Sequence, residues 1–254
     1  MKIVIVLTYY NRPFQLQQTL KSFTKTAHND FEVIIVDDCS PDKPHIGISD
    51  FPVEVIRTKN KKWLDGSPAY NLGFIRAFEK NPDVIIIQNA ETYHEGDIIN
   101  YATTVTDDTY ISFACYNLSR EWTFRKHDLS WIIYHYNNHA VDNEQNAWLN
   151  HKIIRYKPYN WCSAITSKNL RILNGFDERF SDGYCCEDDE LLARIQKLGL
   201  KIEVPEKPFV VHQWHDRNYV PENWDQLYKI NRELCESIYQ SDQIRAIHKF
   251  TNDL

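Results

Sequence analysis

Four consecutive acids, Glu187-Asp188-Asp189-Glu190, stand where a helix is expected to begin. Carboxylates there complement the helix dipole, which accounts for one or two of them. Four in succession repel one another, so at least one is expected to have a task, as general base or hydrogen-bond acceptor. A second group is Val211-His212-Gln213-Trp214-His215-Asp216, where an apolar strand ends in two histidines and an acid, a pattern suited to a divalent-metal site. A third is Asp37-Asp38, between a buried run and a Pro-Asp turn. These carboxylates either bond nearby backbone amides or accept from the N–H and hydroxyl groups of a nucleotide. The apolar run 84–87 stops at Gln88-Asn89-Ala90-Glu91, which leaves one carboxylate at a strand's end.

Such residues act together only if the chain brings them to one place. Residues 2–7 have the apolar, β-branched pattern of a strand covered on both faces, and they end at Thr8-Tyr9-Tyr10-Asn11. Asn11 is a candidate helix cap, Pro13 suits a first turn, and Phe14, Leu16, Leu20 and Phe23 approximate an apolar helical face. With a second buried strand over 31–36 this makes a βαβ unit with parallel strands and a right-handed crossover. Strands at 53–57, 84–87 and 110–115 and a helix over 69–80 extend it into the doubly wound α/β class. Ligands in such sheets bind beyond the carboxyl ends of the strands, so the polar bursts 8–12, 37–42 and 88–94 outline one cleft. Helices are expected over 167–173 and 188–198, the second closed by Gly199, with short strands at 201–204 and 209–211. Trp224, Leu227, Tyr228, Leu234 and Ile238 mark a C-terminal amphipathic helix, placed to cover its own core or a second subunit of a homo-oligomer.

The 254 residues are 43% hydrophobic and 25% charged, enough for one substantial core. A net charge of −6 with interspersed signs offers no basic stripe for nucleic acid. The first residues lack the length and cleavage site of a signal peptide, and no run approaches the ~20 apolar residues of a membrane span. A soluble, cytoplasmic protein without a transmembrane segment is expected. Six cysteines with no CxxC pair suit neither zinc nor a secreted disulfide framework, so they are read as reduced thiols, mostly in the core.

These segments resemble the inverting glycosyltransferases of family 2, with the GT-A (nucleotide-diphospho-sugar transferase) fold, from Lys2 to about Asp216. VIVLTYYNRP is similar to the family's first strand and loop, and VDDCSPD to its second strand. DGSPAYNLG is similar to its Gly-x-x-x-Ala-Arg-Asn-x-Gly segment, with Tyr70 at the arginine position. QNAE falls on the Asp-x-Asp motif, with Asn89 for the first acid and Glu91 for the last. GFDERF followed by GYCCEDDEL resembles the acceptor-side motif, which β-1,4-galactosyltransferases share, and VHQWH resembles the segment carrying the late metal-binding histidine.

The resemblance implies a Rossmann-like, mixed, mainly parallel sheet flanked by helices. It implies a transferase domain over 1–220, with a nucleotide-sugar half (1–116) and an acceptor half (117–220), and a C-terminal helical extension over 221–254. Donor contacts are implied for Thr8, Tyr9, Arg12, Asp37, Asp38, Asn71 and Asn89, with Asp38 accepting from a uracil ring and Asp37 supporting its loop. Mn²⁺ or Mg²⁺ is implied on Glu91 with His212, or His215 as second choice. Asp188 is implied as catalytic base beside Glu187, with Trp161 and Asp189 toward the acceptor. The implied reaction is transfer from a nucleoside diphosphate sugar, UDP-linked, to a hydroxyl of a glycan or other acceptor with inversion, as in polysaccharide biosynthesis. Aromatics from Trp122 to Tyr159 are either core or sugar-stacking faces. Two rival readings keep the fold. A sugar-phosphate nucleotidyltransferase would want a Gly-rich basic loop that TYYNRP lacks. A binding module without turnover would explain Asn89 and Tyr70 but not EDDE and VHQWH.

Overall fold

A strand that is apolar on both faces needs cover from two sides, and the computed structural model, which describes residues 1–47, 49–61, 63–136, 144–216 and 221–251, supplies it. The first elements are β1 (Ile3–Tyr9), α1 (Pro13–Phe23), β2 (Phe31–Asp37), β3 (Val53–Arg57), α2 (Ser67–Glu79) and β4 (Val84–Asn89). Ile3, Ile5 and Leu7 of β1 join Leu16, Leu20 and Phe23 of α1 in one core. The alternate residues Val4 and Val6 join Ala69, Tyr70 and Phe74 of α2 in another. A Cβ at Gly73 would lie 2.4 Å from Val6 Cγ1 and 3.0 Å from Val36 Cγ2, so glycine there lets α2 sit directly on the sheet.

The chain continues through β5 (Thr92–Glu95), α3 (Ile98–Ala102), β6 (Thr109–Ser112), β7 (Cys115–Asn117), α4 (Arg120–Thr123), α5 (Leu129–His135) and β8 (Ala147–Asn150). Then follow β9 (Cys162–Thr166), α6 (Ser167–Leu173), a 3-10 turn (Glu178–Asp182), α7 (Glu187–Lys197), β10 (Lys201–Glu203), β11 (Phe209–His212) and α8 (Trp224–Tyr239). The larger sheet has the order β10-β6-β9-β4-β1-β2-β3. Its pairings are parallel except those of β9, which runs antiparallel to β4 and β6. This is the expected mixed, mainly parallel sheet flanked by helices.

A second sheet, β5-β11-β7-β8, departs from the sequence reading. The run 110–115, expected as one strand, is divided between the sheets. Phe113 N–H donates to Cys162 O in the larger sheet (3.0 Å), while Ala114 O accepts from Val210 N–H in the smaller (2.8 Å). An apolar run looks the same on either side of such a switch, because both sheets bury it. Asn11 is not the cap of α1. It adopts a left-handed φ of 48° with its N–H on Ser40 Oγ at 3.0 Å, and Arg12 takes the cap position.

The expected division between residues 116 and 117 falls inside β7, and the one at residue 220 lies outside the described residues. Helix α8 packs on its own chain: Cys235 and Ile238 meet Phe180 and Cys186, and Asn231 Nδ2 donates to Phe180 O and Cys185 O. The tail then returns to the 3-10 turn, where the N–H groups of Lys249, Phe250 and Thr251 converge on Glu178 Oε2 at 2.6, 2.6 and 3.0 Å. The cysteines are free thiols; Cys115, Cys162, Cys186 and Cys235 are buried, whereas Cys39 is half-buried and Cys185 exposed. Among the described residues no helix is long and apolar enough to cross a membrane.

Helix α7 is held to the preceding segment by Arg194, which also forms a buried ion pair within the helix. Arg194 donates to Glu190 Oε1 and Oε2 at 2.5 and 2.8 Å, and to Leu173 O and Gly175 O at 2.8 and 2.9 Å. Both side chains are 0% exposed. Removing one partner strands the other charge, so Arg194→Met is expected to lower the unfolding free energy in urea by about 3–5 kcal/mol. Adding Glu190→Leu should recover most of that loss.

Candidate functional site

β1 has β2 on one side and β4 on the other, so the loops after these strands diverge and leave a crevice at their carboxyl ends. Two cavities fill it, of about 380 Å³ and about 200 Å³, joined at Thr8, Arg12 and Gly66. Thr8, Tyr9, Arg12 and Asp38 line the larger one with Tyr10 and Lys61. Asp38 Oδ1 accepts from Trp63 Nε1 at 2.9 Å, and its Oδ2 pairs with the Lys61 ammonium. Burial pushes its carboxyl above the usual range against the pull of Lys61 and Trp63. Lys61 and Trp63 were not singled out from sequence; they sit in an irregular loop, and only loop closure carries them to Asp38.

Asp37 is implied among the donor contacts as the support of its loop. It is fully buried and accepts from Ser40 N–H at 3.0 Å and Arg57 Nη1 at 2.7 Å, so it braces the loop and does not line the cleft. Asn71, also implied as a donor contact, is bonded within the protein. Its Oδ1 accepts from Phe176 N–H at 2.8 Å, and its Nδ2 donates to Phe176 O and Glu178 Oε1, both at 2.9 Å. That amide is consumed in clamping α2 to the loop before the 3-10 turn.

The burst after β4 separates into structural and cleft-facing residues. Gln88 Nε2 donates to Thr92 O at 2.6 Å, and His94 Nε2 lies 2.8 Å from Gln88 Oε1, all buried. Asn89 and Glu91 line the smaller cavity. The Tyr70 hydroxyl lies 2.8 Å from Asn89 Oδ1 and 2.9 Å from Gln88 O, so the residue at the arginine position supports this strand end.

Glu91 is the centre of a three-residue cluster with His212 and His215, whose ligand atoms all lie within 4.8 Å of one another. From Glu91 Oε1, His215 Nε2 is 3.6 Å away and His212 Nε2 is 3.7 Å. His212 Nδ1 is 2.9 Å from Asn117 Oδ1, and His215 Nδ1 is 3.0 Å from Asp216 O. In each ring Nδ1 faces an oxygen acceptor, which leaves the Nε2 lone pair as the one offered to a ligand beside Glu91, the arrangement that metal-binding histidines use. Burial, against the pull of Glu91, pushes His215 down to about 4, which keeps that lone pair available at neutral pH. Burial acts upward on Glu91 too, but the Arg12 guanidinium, 2.6 Å from Oε1, holds its carboxyl well below the usual range. One carboxylate with two imidazoles fits Mn²⁺ better than Mg²⁺, which prefers oxygen alone.

The four acids of α7 part company in the structure. Cys185 and Cys186, at left-handed φ of 62° and 73°, turn the chain sharply into the helix. Glu190 goes inward to Arg194, as described above. Asp189, expected toward the acceptor, instead receives the Tyr159 hydroxyl and does not line the smaller cavity. Glu187 and Asp188 do line it, with Trp161, Asn160, Ser67 and Phe176. Burial, then the negative charges of Asp189 and Asp65, push Asp188 up to about 7. Burial, then Asp188 and Asp65, push Glu187 well above the usual range. Among the described residues, Glu187 Oε2, Ser67 Oγ and Asp65 Oδ2 are buried without a hydrogen-bond partner. Asp65, braced by Ser67 N–H at 2.7 Å and Ser181 Oγ at 3.0 Å, was missed from sequence, because nothing local links it to acids over a hundred residues on. Of the aromatics, Trp161 reaches the smaller cavity and Phe124 the larger. Trp148 and Tyr134 line a separate groove.

Residues 4–160 match the sequence pattern of glycosyl transferase family 2, and residues 154–216 match one described as the N-terminal domain of galactosyltransferase. Over 59 residues the chain is 41% identical to an uncharacterized glycosyltransferase of Haemophilus influenzae, a stretch covering 23% of this chain and 20% of that relative. Among solved structures, S. aureus TarS 1-349 in complex with UDP-GlcNAc is similar with a TM-score of 0.61 and 14% identity, over 94% of this chain and 70% of that one. Mannosyltransferase PcManGT from Pyrobaculum calidifontis, in complex with GDP-Man and Mn²⁺, has a TM-score of 0.53 and 14% identity, over 94% and 62%. At such identity the likeness is one of fold, the GT-A fold.

A cation on Glu91, His212 and His215 would stabilise the folded chain by mass action, by about 2.7 kcal/mol at a hundred times its Kd. Excess Mn²⁺ is expected to raise the Tm of the wild type and to leave Glu91→Ala and His212→Ala unmoved. An equal rise in all three would place the ion elsewhere.

Proposed function

The chain belongs to glycosyl transferase family 2, and from that premise we propose that it moves a sugar from a nucleoside diphosphate sugar, UDP-linked, to an acceptor hydroxyl with inversion and with divalent-metal dependence. The observation that carries this reading is that Glu91 and Asp188 line one cavity, a chamber of about 200 Å³ that opens into the larger one. A base and a cation-holding carboxylate are thereby within reach of one reacting centre.

In this reading the nucleotide lies in the larger cavity, with Thr8, Tyr9 and Asp38 about the base and Asn89 toward the ribose. Glu91, His212 and His215 would hold Mn²⁺, or Mg²⁺ less well, and the ion's chemistry is to neutralise charge on the departing diphosphate. Asp188 accepts the proton of the acceptor hydroxyl as that oxygen attacks the anomeric carbon from the face opposite the diphosphate. Glu187, its carboxyl held well above the usual range, forms a hydrogen bond with the acceptor, and Trp161 offers its ring to a sugar face. Residues 1–116 then serve the donor and 117–220 the acceptor, with His212 and His215 returning to the donor side. Free thiols and a nucleotide-sugar donor fit a cytoplasmic setting.

Asp188 must be ionised to take a proton, and its carboxyl titrates at about 7. The kcat/KM for transfer is therefore expected to fall about tenfold per pH unit below that value and to level off above it. Asp188→Asn should lose about 10²–10⁴-fold in rate while UDP, with Mn²⁺, still raises its Tm as in the wild type. An Asp188→Asn enzyme that kept most of its activity would remove Asp188 from the role of base. Running the same thermal shift with GDP- and dTDP-sugars tests the choice of UDP.

A further inference from the structure

Arg12 stands at a point where two demands meet. It lines both cavities, at the neck that a diphosphate must occupy to link a base in one with a sugar in the other. Among the described residues it is the one basic side chain lining the smaller cavity. Its Nη1 lies 2.6 Å from Glu91 Oε1, the same oxygen that His215 Nε2 and His212 Nε2 approach at 3.6 and 3.7 Å. A guanidinium and a divalent ion cannot both sit against one carboxylate oxygen without strong repulsion, because like charges a few ångströms apart in a buried site are poorly screened. Glu91 is almost wholly buried, while the Arg12 side chain is 29% exposed at the cleft. The arginine is the partner with room to move.

We infer that Arg12 is an exchangeable internal cation: it neutralises Glu91 when no divalent ion is bound, and turns to the donor's phosphates when the ion takes Glu91. The inference rests on the metal and donor assignments proposed above and adds a coupling that they do not contain. Metal alone must displace Arg12 from its carboxylate contact with Glu91 and leave it without a phosphate. Nucleotide alone draws Arg12 away and leaves Glu91 buried and uncompensated. Each ligand therefore supplies what the other removes, and the two bind with positive coupling. The guanidinium suits both tasks, since its fork meets carboxylate and phosphate oxygens alike.

The test uses the full chain, with Mn²⁺ binding followed by the EPR signal of the free ion, first without nucleotide and then with saturating UDP. Arg12→Gln, checked for cooperative unfolding, is expected to bind Mn²⁺ alone about tenfold more tightly than wild type. UDP should tighten Mn²⁺ binding to the wild type by about the same factor and to the variant far less. Arg12→Lys, which keeps the charge without the fork, should fall between them and serves if the glutamine variant does not fold. Equal or weaker Mn²⁺ binding by Arg12→Gln, or undiminished tightening by UDP, overturns the exchange while leaving the metal site standing. Absence of Mn²⁺ binding by every protein, wild type included, overturns the metal assignment itself.

Discussion

β1 is hydrogen-bonded in parallel to β2 on one side and β4 on the other, in a register that sets Tyr9 opposite Asp37 and Thr8 opposite Asn89. Parallel pairing obliges all three strands to run out at one edge, where backbone groups lose their ladder partners and must find others. Polar residues gather there for that reason, and the cleft is built from them. Asp37 and Gln88 do the bracing, and their neighbours Asp38 and Asn89 face the space so enclosed. The close seat of α2, permitted by Gly73, brings Tyr70 and Ser67 to the same edge.

The second sheet completes what the first begins. β11 places His212 opposite Thr92 in antiparallel pairing and opposite Asn117 in parallel pairing. The first neighbour sets His212 beside Glu91, and the second puts Asn117 against its Nδ1, fixing which nitrogen is free. Gln213 continues the ladder, its N–H donating to Glu91 O at 2.9 Å, and Trp214 N–H is caught by Thr123 Oγ1 at 2.8 Å. His215 is thus carried back over the cleft by a chain held on both sides.

The acids of α7 are costly, and the fold distributes the cost. The dipole of the helix favours all four, Arg194 neutralises Glu190, and the Tyr159 hydroxyl satisfies Asp189. Glu187, Asp188 and Asp65 keep an unrelieved repulsion. A carboxyl whose folded value exceeds its unfolded one holds its proton more tightly in the folded state. For Asp188 the sign is that stability declines as pH rises from about 4 to about 7, the window between its unfolded and folded values. Buried carboxyls that oppose stability at neutral pH cluster at working sites, where proton affinity near neutrality is useful.

The local pattern of the chain determined a good deal. Continuous apolar runs predicted β1, β2 and β4, and the polar residues that end them predicted the crevice, because burial on both faces and its abrupt end are written in consecutive residues. The EDDE run at a helix start and the spacing of His212 and His215 were legible for the same reason. Tertiary structure alone decided where each acid goes, since Glu190, Asp189 and Asp188 look alike until Arg194, Tyr159 and the cavity are placed around them. It also decided that Asn71 is a brace, that 110–115 serves two sheets, that α8 covers its own chain, and that Arg12 shares an oxygen with two histidines. These depend on pairings between residues up to about two hundred positions apart, such as Arg12 with His215. Short-range periodicity carries no information about such pairings, because they are selected by the packing of the whole chain.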